Sequence, residues 1–468
     1  MEPEHLKQPL VLVIFGITGD LAQRYLLPAL YWLAKSQELP LTFRIVGVSR
    51  REVAIQDVYT QLEHFAGDTA FSADIANRLV AQTSMHQMDM TDKSAYVKFL
   101  QALQDLEANL GAGVNRLYYL SIPAQVSLPI ITLLGLTGHA APLADNATLP
   151  RLLMEKPFGY DITSAKDLIT AVDAQFDEKQ VYRIDHYLAK ETVRNMLTFR
   201  FENPLFEAVW NNRHIDHIAI LAHEKIGIEG RVNFYEQTGA LRDLVQSHLL
   251  QLLAITTMDK PATMESAAIH ARKLELLEAV SPITEDSVSK KAIRGQYKGY
   301  REEVNNSDST IETYARLDLE IDSERWRGVP IRLETGKALT ERRTEIVVSF
   351  KQSDAKIDAR NKLLFRIKPT EGITLVLQAK QPGITNQTQA VDMDFDYARS
   401  FNHRPAEAYE KVISDAIRGD QTLFASAGEV LASWKIIAHV LQEWSKSAEG
   451  LQLYESGSAG PSAKPTVE

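Results

Sequence analysis

The chain has 468 residues, of which 45% are hydrophobic, so it is long enough for a large core and more than one domain. It contains no cysteine, which excludes disulfides, thiolate metal sites and a cysteine nucleophile. A net charge of -10 argues against a general nucleic-acid-binding protein, but it does not exclude a local basic pocket for a small anion. The N-terminus has no basic segment followed by an apolar run, and no stretch approaches about 18 consecutive apolar residues. We therefore expect neither a signal peptide nor a membrane span.

The first 190 residues alternate apolar strand candidates with helical patterns. The strand candidates are 10–15, 43–49, 116–122 and 151–157, and the helical stretches include 21–36 and 94–109. Pro28 lies inside the first helical pattern and should kink or restart that helix. The alternation predicts a Rossmann-like, parallel, doubly wound α/β domain over residues 1–190.

Alternating apolar and polar positions become frequent after about residue 190. They occur in 214–223, 313–322, 345–350, 362–369 and 373–380, and helical stretches occur in 239–256, 264–280 and 405–417. Several of the alternating segments are close in sequence, which predicts an α+β domain with a large, mainly antiparallel sheet over residues 191–452. Residues 453–468 are rich in Ser, Gly, Pro and Ala, and we expect them to form a disordered tail.

The segment GITGDLA, residues 16–22, follows the first strand candidate and leads into a helix. Gly16 permits a tight turn, and Gly19 lets a diphosphate approach the backbone, where helix N-terminal amides favour anions. Arg50 and Arg51 follow the second strand candidate, where an NAD site usually has an acid, so this position suits a 2′-phosphate. The alternatives are an ordinary strand–helix turn and an exposed basic loop without a ligand.

The segment EKPFGYD, residues 155–161, follows another strand candidate. Lys156 places a charge at the carboxyl end of a strand, where ligands of such sheets bind. Pro157 fixes the turn, and a cis peptide bond there would aim Lys156 inward. The alternative is a solvated lysine before a turn.

The segment YRIDHYLAKE, residues 182–191, contains two cationic donors. If a helix begins near Asp185, then His186 and Lys190 are neighbours on one helix face. Two such donors suit a phosphate monoester. The alternative is the terminus of a surface helix.

The segment GALRDLVQSHLLQLL, residues 239–253, predicts a helix whose buried apolar stripe begins at Leu241. His248 lies on that stripe. A histidine there is either a core residue with one satisfied nitrogen or a proton acceptor. The second interpretation requires a carboxylate that holds one tautomer, and Asp185 is a candidate for it.

Seven segments occur in the order in which the glucose-6-phosphate dehydrogenase family has them. They are GITGDLA, EKPFG, RIDHYLAKE, GALRDLVQSHLLQ, RGQY, GVPIRLETGK and PAEAYEKVISDAIRGDQTLF. The chain thus resembles this family from about residue 10 to about residue 445. The resemblance implies an NADP-preferring glucose-6-phosphate 1-dehydrogenase of the oxidative pentose phosphate pathway, with NAD as an alternative coenzyme and no metal. Such an enzyme moves a hydride from C1 of glucose 6-phosphate to NADP and forms 6-phosphogluconolactone.

The resemblance also implies roles for individual residues. His248 is implied as the catalytic base, with Asp185 as its orienting carboxylate. The implied substrate ligands are Lys156, His186, Tyr187, Lys190, Glu224, Asp243, Lys337 and Arg342. The implied coenzyme ligands are Gly16, Thr18, Gly19, Asp20, Leu21, Arg50, Tyr119, Pro123 and Lys156, the last of which would lie between sugar and coenzyme.

The chain departs from the family pattern at several positions. Glu334 stands where the family usually has a basic residue, and Lys368 stands where it usually has glutamine. Val347 and Val376 fall near positions that are basic in relatives with a second, structural NADP site, so we do not expect that site here. The segment FASAGE, residues 424–429, lacks the usual arginine and aspartate in a region that supports subunit packing.

The resemblance implies a cytoplasmic homodimer or homotetramer without a nucleic-acid or membrane partner. Two alternative functions stay open at this point. One is a dehydrogenase of another hexose or hexose phosphate, and the other is a non-catalytic regulatory homologue that binds a sugar phosphate. A pure binder has no need of a base, so the presence of both Asp185 and His248 favours an enzyme.

Overall fold

The computed structural model describes residues 4–143, 148–352, 360–401 and 404–461. The chain divides into two compact units. The first comprises Met1–Gly159, Thr163–Ala189 and Ala406–Ala427, and the second comprises Tyr160–Ile162, Lys190–Pro405 and Gly428–Glu468. In the described part of the chain, every helix is too short or too polar to span a membrane.

The first unit contains a six-stranded sheet. Its strands are β1 (Leu10–Phe15), β2 (Phe43–Ser49), β3 (Thr83–Gln87), β4 (Asn115–Leu120), β5 (Arg151–Met154) and β6 (Val181–Arg183). All neighbours are parallel, in the order β3-β2-β1-β4-β5-β6, which is the Rossmann order. Every residue of β1 is buried, as expected for a central strand of a sheet that is covered on both faces. The predicted doubly wound sheet is confirmed.

Helices alternate with these strands. They are α1 (Glu4–Lys7), the π-helical turn π1 (Ala22–Leu26), α2 (Leu27–Lys35), α3 (Ile55–Tyr59), α4 (Leu62–Ala66), α5 (Ala73–Ala81), α6 (Lys93–Ala108), α7 (Ala124–Leu136), α8 (Ile162–Asp173) and a 3₁₀ turn at Glu178–Gln180. The Leu27 N–H donates to the Ala22 carbonyl, five residues back, and Pro28 lies in the first turn of α2. The helix thus changes from π to α geometry at Leu27, one residue before Pro28, where the sequence predicted a kink or a restart.

The second unit contains a nine-stranded sheet. Its strands are β7 (Ile215–His223), β8 (Ala292–Tyr297), β9 (Tyr314–Leu319), β10 (Ile331–Gly336), β11 (Arg343–Phe350), β12 (Lys362–Lys368), β13 (Gly372–Lys380), β14 (Thr388–Asp396) and β15 (Leu451–Tyr454). The order is β14-β13-β12-β11-β7-β10-β9-β8-β15. The pairs β7–β10 and β8–β15 are parallel, and the other pairs are antiparallel. The predicted mainly antiparallel sheet is confirmed.

The remaining helices follow residue 190. They are α9 (Glu191–Phe201), α10 (Pro204–Glu207), α11 (Val232–Ala240), the π-helix π2 (Leu241–Leu249), α12 (Leu250–Thr257), α13 (Ser266–Ala279), a 3₁₀ turn at Glu285–Ser287, α14 (Val288–Lys291), α15 (Tyr300–Glu303), α16 (Tyr397–Phe401), α17 (Ala408–Arg418) and α18 (Ala427–Lys446).

Helix α17 belongs to the first unit, although the sequence places it within the second domain, 191–452. Its buried residues include Val412, Ile413 and Ile417, and they share one hydrophobic cluster with β1 and α2. The apolar face of α17 thus completes the core of the N-terminal sheet, and the first unit is assembled from distant parts of the chain.

The C-terminal segment differs from the expected disordered tail. Tyr454, the last residue of β15, is buried in a tyrosine-rich cluster, and its hydroxyl donates to the Lys337 carbonyl at 2.7 Å. The Gly457 N–H donates to the Ala338 carbonyl at 2.7 Å. The expectation is therefore wrong for residues 453–461, because small and polar residues there pair with the strand ends beneath them. Residues 462–468 lie outside the described residues.

A buried ion cluster joins α13 to α18. The Glu429 carboxylate accepts from His270 Nδ1 at 2.6 Å and lies 2.7 Å from Lys273 Nζ. The side chains of Glu429 and Lys273 are completely buried. Burial raises the pKa of Glu429, but the charge of Lys273 and the His270 hydrogen bond outweigh it and lower the pKa to about 2. This cluster therefore stabilises the fold only while Glu429 is ionised.

We expect Glu429→Gln to lower the free energy of unfolding by about 3–5 kcal/mol, because it leaves the Lys273 ammonium buried without an anion. The wild-type contribution should be present above pH 4.5, the ordinary pKa of this carboxyl, and should be lost as the pH falls towards 2. Urea unfolding at several pH values measures both. Glu443→Gln, on the partly exposed side of the same helix, is the control and should change little. An equally stable Glu429→Gln variant would contradict this account.

Candidate coenzyme and substrate sites

Five strands of the first sheet end at or near a predicted site residue. Gly16 follows β1, Arg50 follows β2, and Tyr119 is the penultimate residue of β4. Lys156 comes two residues after the end of β5, and Asp185 comes two residues after the end of β6. Because all six strands are parallel, their carboxyl ends lie at one edge of the sheet. Ligands of such sheets bind at that edge, where the strand order reverses between β1 and β4.

Gly16 forms the tight turn after β1. Its φ is +78°, and a Cβ added there would lie 2.4 Å from the Ser121 carbonyl oxygen. The Gly16 N–H donates to the Val48 carbonyl at 3.1 Å, and the Gly19 N–H donates to the Gly16 carbonyl at 2.9 Å. Packing thus excludes any side chain at Gly16, and the exposed backbone of this turn fits the close approach of a dinucleotide phosphate.

The other predicted coenzyme residues of this turn differ in exposure. Thr18 is half-buried, and Leu21 packs partly against the hydrophobic core. Asp20 is exposed, and its carboxylate forms an ion pair with Arg24 Nε at 2.5 Å. Pro123 precedes α7 and has an extended ψ of 141°. These positions surround the turn but do not by themselves define a ligand.

Arg50 is exposed directly after β2. The Ser49 hydroxyl accepts from the Arg51 N–H at 3.1 Å, which fixes the local turn. Hydrogen bonds from Thr91 lower the pKa of Asp89, and the nearby charge of Arg50 lowers it further. Arg50 therefore combines an exposed guanidinium with a position at the ligand-binding edge.

Tyr119 points into the protein. It is fully buried, and its hydroxyl donates to Glu155 Oε1 at 2.5 Å. Glu155 and Lys156 are both half-buried, and the Lys156–Pro157 peptide bond is cis, as the sequence analysis considered. Glu155 was not among the predicted site residues, although the charged pair Glu155–Lys156 at a strand end was a usable signal.

Asp185 begins a hydrogen-bonded turn. Its Oδ1 accepts from the Tyr187 N–H at 2.9 Å, and its carbonyl accepts from the Leu188 N–H at 3.0 Å. Helix α9 begins only at Glu191, so the condition that a helix begins near Asp185 is not met. An aspartate side chain that bonds to the backbone two residues on favours such a turn over a helix. His186 and Tyr187 lie in this turn with their ring centres 5.1 Å apart.

Lys190 is the residue before α9 and belongs to the second unit. Its Nζ lies 3.7 Å from Glu371 Oε1, and Glu371 Oε2 also accepts from the Thr192 N–H at 2.9 Å. His186 and Lys190 are therefore not neighbours on one helix face, since His186 lies in the turn before α9. Lys190 instead presents its ammonium from the start of a helix that Glu371 anchors.

The second unit brings Glu224 and Lys337 together at the ends of β7 and β10. These strands are parallel neighbours, and the Glu224 N–H donates to the Gly336 carbonyl at 2.9 Å. The carboxylate of Glu224 forms an ion pair with the Lys337 ammonium. Lys337 Nζ lies 5.3 Å from the centre of the Tyr235 ring. The parallel pairing of β7 and β10 thus places a carboxylate and an ammonium group side by side.

Tyr235 is a residue that the sequence analysis missed. It is buried, and burial raises its pKa far above the ordinary value, with further contributions from the charges of Asp243, Glu312 and Glu224. Asp243 and Glu224 therefore both lie near the Tyr235 hydroxyl. The sequence around Tyr235, which lies four residues before Gly239, gave no signal beyond that of a core residue.

Arg342 is not joined to this group. It is exposed in the segment before β11. Within the described residues, no hydrogen bond or ion pair links Arg342 to Lys337 or Glu224. Its predicted role in phosphate binding stays a prediction.

The helical stretch predicted over 239–256 is broken into different helix types. Gly239 has φ +62° and ψ -179°, and a Cβ there would lie 2.4 Å from Glu312 Oε1. Glu312 Oε1 also accepts from the Leu241 N–H at 2.9 Å. The chain bends at Gly239 because the Glu312 carboxylate occupies the space of a side chain and caps the following helix.

The following helix, π2, carries Asp243 and His248. The Leu250 N–H reaches the Val245 carbonyl, five residues back, so the turns are wider than in an α-helix. His248 and Asp243 are 1% and 7% exposed. His248 is thus buried, as predicted, and π-helical segments inside helices occur frequently at functional sites. His248 lies in the second unit and Asp185 in the first, and their pairing stays a prediction.

The departures from the family pattern have local explanations only in part. Glu334 accepts from His223 Nε2 at 3.0 Å. Burial raises the pKa of Glu334, but the His223 hydrogen bond and the charges of Arg332 and Arg316 outweigh it, so the pKa is lowered. Glu334 is therefore stable as an anion between basic partners. Lys368 precedes a second cis proline bond.

Comparison with known proteins resolves the family. The family model described as glucose-6-phosphate dehydrogenase, NAD binding domain, matches residues 13–195, and the model of the C-terminal domain matches residues 197–467. The chain belongs to the glucose-6-phosphate dehydrogenase family.

Relatives of the glucose-6-phosphate dehydrogenase family match almost the whole chain. A glucose-6-phosphate 1-dehydrogenase of Chlamydia muridarum is 40% identical over 97% of this chain and 94% of its own length. A glucose-6-phosphate 1-dehydrogenase 2 of Mycobacterium bovis is 39% identical over 97% of this chain and 91% of its own length.

Solved structures of glucose-6-phosphate dehydrogenases have the same fold. One, described as a complex with its substrate glucose 6-phosphate, has a TM-score of 0.89 and 31% identity and covers 97% of this chain and 96% of its own. The enzyme of Mycobacterium avium has a TM-score of 0.80 and 32% identity, with coverage of 96% and 95%. These matches confirm the predicted two-part architecture.

We expect Gly16→Ala to weaken NADP binding strongly, because the added methyl group would push the turn away from the Ser121 carbonyl. Isothermal titration with NADP measures the affinity, and circular dichroism checks the fold. Gly67→Ala is the matched control, since Gly67 also has a positive φ, of +59°, but has nothing within 4 Å of the added Cβ. Unchanged NADP affinity in a folded Gly16→Ala variant would remove this turn from the coenzyme site.

Proposed function

We propose that the chain is an NADP-preferring glucose-6-phosphate 1-dehydrogenase that converts glucose 6-phosphate to 6-phosphogluconolactone. The observation that carries this proposal is the match of both family models, in order, to nearly the whole chain. The chain also covers more than nine-tenths of the length of two relatives that are named for this activity, which supports the proposal. A related structure described with glucose 6-phosphate supports the substrate assignment.

The edge of the first sheet is the proposed coenzyme site. The residues proposed to hold NADP are Gly16, Thr18, Gly19, Asp20, Leu21, Arg50, Tyr119, Pro123 and Lys156. The fit rests on Gly16, whose packing leaves only backbone at the turn, and on Arg50, an exposed cation after β2 that suits a 2′-phosphate. When bound, the nicotinamide supplies the hydride acceptor.

His248 is the proposed general base. An imidazole nitrogen of His248 takes the proton of the C1 hydroxyl as the hydride leaves C1, and Asp185 holds the imidazole in the required tautomer. The burial of both side chains limits competition from water. Such a base contributes about 10²- to 10⁴-fold to the rate.

Cationic side chains are proposed to bind the sugar phosphate. The proposed phosphate ligands are His186, Tyr187, Lys190, Lys337 and Arg342, while Glu224 and Asp243 bind sugar hydroxyls. Charge-assisted hydrogen bonds to phosphate oxygens are strong enough to fix the sugar in register. The ion pair between Glu224 and Lys337 supports this assignment because it holds one sugar ligand beside one phosphate ligand. Lys156 contributes from the coenzyme side.

The direct test measures the reduction of NADP and of NAD in the presence of glucose 6-phosphate. The absorbance of the reduced nicotinamide is the readout. Other hexose 6-phosphates and free hexoses are tested in parallel. We expect the highest kcat/KM for glucose 6-phosphate with NADP. A clear preference for a free sugar would contradict the phosphate assignments, and binding without coenzyme reduction would point to a regulatory homologue.

We expect His248→Asn to lower kcat by about 10²- to 10⁴-fold while the affinity for glucose 6-phosphate changes little, because only proton transfer is lost. Steady-state kinetics and substrate titration measure the two effects. His214→Asn is the control and should behave as the parent, because His214 is an exposed histidine directly before β7. An unchanged rate in His248→Asn would remove His248 from the mechanism.

We expect the double variant Arg50→Gln, Arg51→Gln to lose kcat/KM for NADP by at least about tenfold more than for NAD, because a single charge-assisted contact with a phosphate is worth about 1.5–3 kcal/mol. The ratio of the two kcat/KM values is the readout. Arg78→Gln, in α5 of the same unit, should leave the ratio unchanged. Equal losses with both coenzymes would refute the 2′-phosphate assignment.

We also propose that the enzyme is a cytoplasmic homodimer or homotetramer without a nucleic-acid or membrane partner. Membership of the glucose-6-phosphate dehydrogenase family supports the oligomer, and the absence of cysteine fits a reducing compartment. Analytical ultracentrifugation distinguishes the two assemblies.

A further inference from the structure

Glu155 lies between β5 and Lys156, and its carboxyl group is held from two sides. The Tyr119 hydroxyl, from β4, donates to Glu155 Oε1 at 2.5 Å. The Tyr409 side chain, from α17, also forms a hydrogen bond with Glu155. The Tyr409 ring stacks on Tyr25 of π1, with ring centres 5.2 Å apart. Two phenols on separate elements, the buried Tyr119 and the half-buried Tyr409, thus converge on one carboxyl group.

Helix α17 is fixed to β5 at both ends. Arg151 Nη1, at the start of β5, donates to the carbonyls of Ala416 and Ile417 at 2.7 and 2.8 Å. The strand from Arg151 to Glu155 spans about 13 Å, and the helix from Tyr409 to Ile417 spans about 12 Å. The matched lengths let α17 run back along β5, so that Tyr409 meets Glu155 at the ligand-binding edge.

The charges around Glu155 are those of the proposed site. Burial raises the pKa of Glu155 to about 7, against the lowering effects of the Tyr119 hydrogen bond and the Lys156 charge. The Tyr409 hydrogen bond also lowers the pKa of Glu155, and the Asp185 charge raises it. The facing groups are therefore Tyr119 from β4, Tyr409 from α17, Lys156 on its own segment and Asp185 after β6.

We propose that Glu155 is a positioning residue, whose carboxylate, fixed by Tyr119 and Tyr409, holds Lys156 in place and releases it on taking up a proton. The inference rests on the proposed dehydrogenase function. An ionised Glu155 accepts from both tyrosines and attracts the Lys156 ammonium. A protonated Glu155 loses that attraction and no longer adds its charge to that of Asp185. Helix α17 thereby supports the site without touching substrate or coenzyme.

The test is the pH dependence of kcat/KM for glucose 6-phosphate with NADP, in the full chain and in Glu155→Gln. At pH 8 we expect the variant to be about 10- to 100-fold slower, the scale of a misplaced reactive group. Below pH 6 the two profiles should converge, because the parent carboxyl is then also neutral. Lower rates with a parallel profile at every pH would show a merely structural role and overturn the proposal.

Tyr409→Phe gives the conservative arm of the same experiment. It removes a donor that stabilises the anion, so the pKa of Glu155 should rise and activity should fall at a higher pH than in the parent. At high pH the rates should approach those of the parent. The controls are Glu107→Gln and Tyr59→Phe, which lose a contact with Arg116 and Thr83 respectively. An unshifted Tyr409→Phe profile would contradict the proposed link to α17.

A stability measurement separates this proposal from the proposed function. The pKa of Glu155 is raised above its ordinary value of 4.5. Between pH 4.5 and about 7, the folded chain therefore binds more protons at this carboxyl group than the unfolded chain does. The carboxyl's contribution to stability is therefore full below 4.5 and is lost as the pH rises through 7. The melting temperature of Glu155→Gln relative to the parent should rise across this window, and a constant difference would overturn the proposal. A parent chain that reduces no coenzyme would instead overturn the proposed function.

Discussion

The Gly16 backbone approaches the Ser121 carbonyl so closely that no side chain fits between the ends of β1 and β4. This contact fixes the turn after β1 at the point where the strand order reverses. The other proposed coenzyme residues that follow strands of the first unit lie at the same edge as that turn, because parallel strands end together. A diphosphate can approach such a turn only because the chain supplies backbone there instead of side chains.

Both units hold charged groups at strand ends and surround them with partners. In the first unit, phenols lie around Glu155, and Arg116 pairs with Glu107 at 2.5 Å. In the second unit, Glu224 pairs with Lys337, and Glu429 lies in a buried ion cluster. Buried charges are tolerated where partners are close, and removing one partner leaves a penalty that packing does not recover.

Sequence patterns predicted the elements in which one physical signal dominates. Strands β1 and β2 match their predicted bounds, because runs of apolar and β-branched residues have no helical alternative of similar length. Strands β3 and β15 were missed, since their short or polar segments become strands only through pairing with neighbours. The break at Gly239 was invisible, because its cause, Glu312, is distant in sequence.

The candidate site was predictable by residue type more than by geometry. Motif spacing selected Asp185 and His186 but left open whether they lie on a helix, because the bond from the Asp185 side chain to the backbone cannot be read from periodicity. Glu155 and Tyr235 were missed, because their importance comes from what surrounds them. Local patterns therefore identify chemical groups, while their environment is set by contacts between distant segments.

Strand β15 connects the C-terminal segment to the backbone of a proposed substrate ligand. The Tyr454 hydroxyl bonds to the carbonyl of Lys337, so a residue near the end of the chain fixes the backbone of a lysine assigned to the sugar phosphate. Shortening the protein past β15 would remove this bond, so the choice of a C-terminal boundary would alter the support of a proposed substrate ligand.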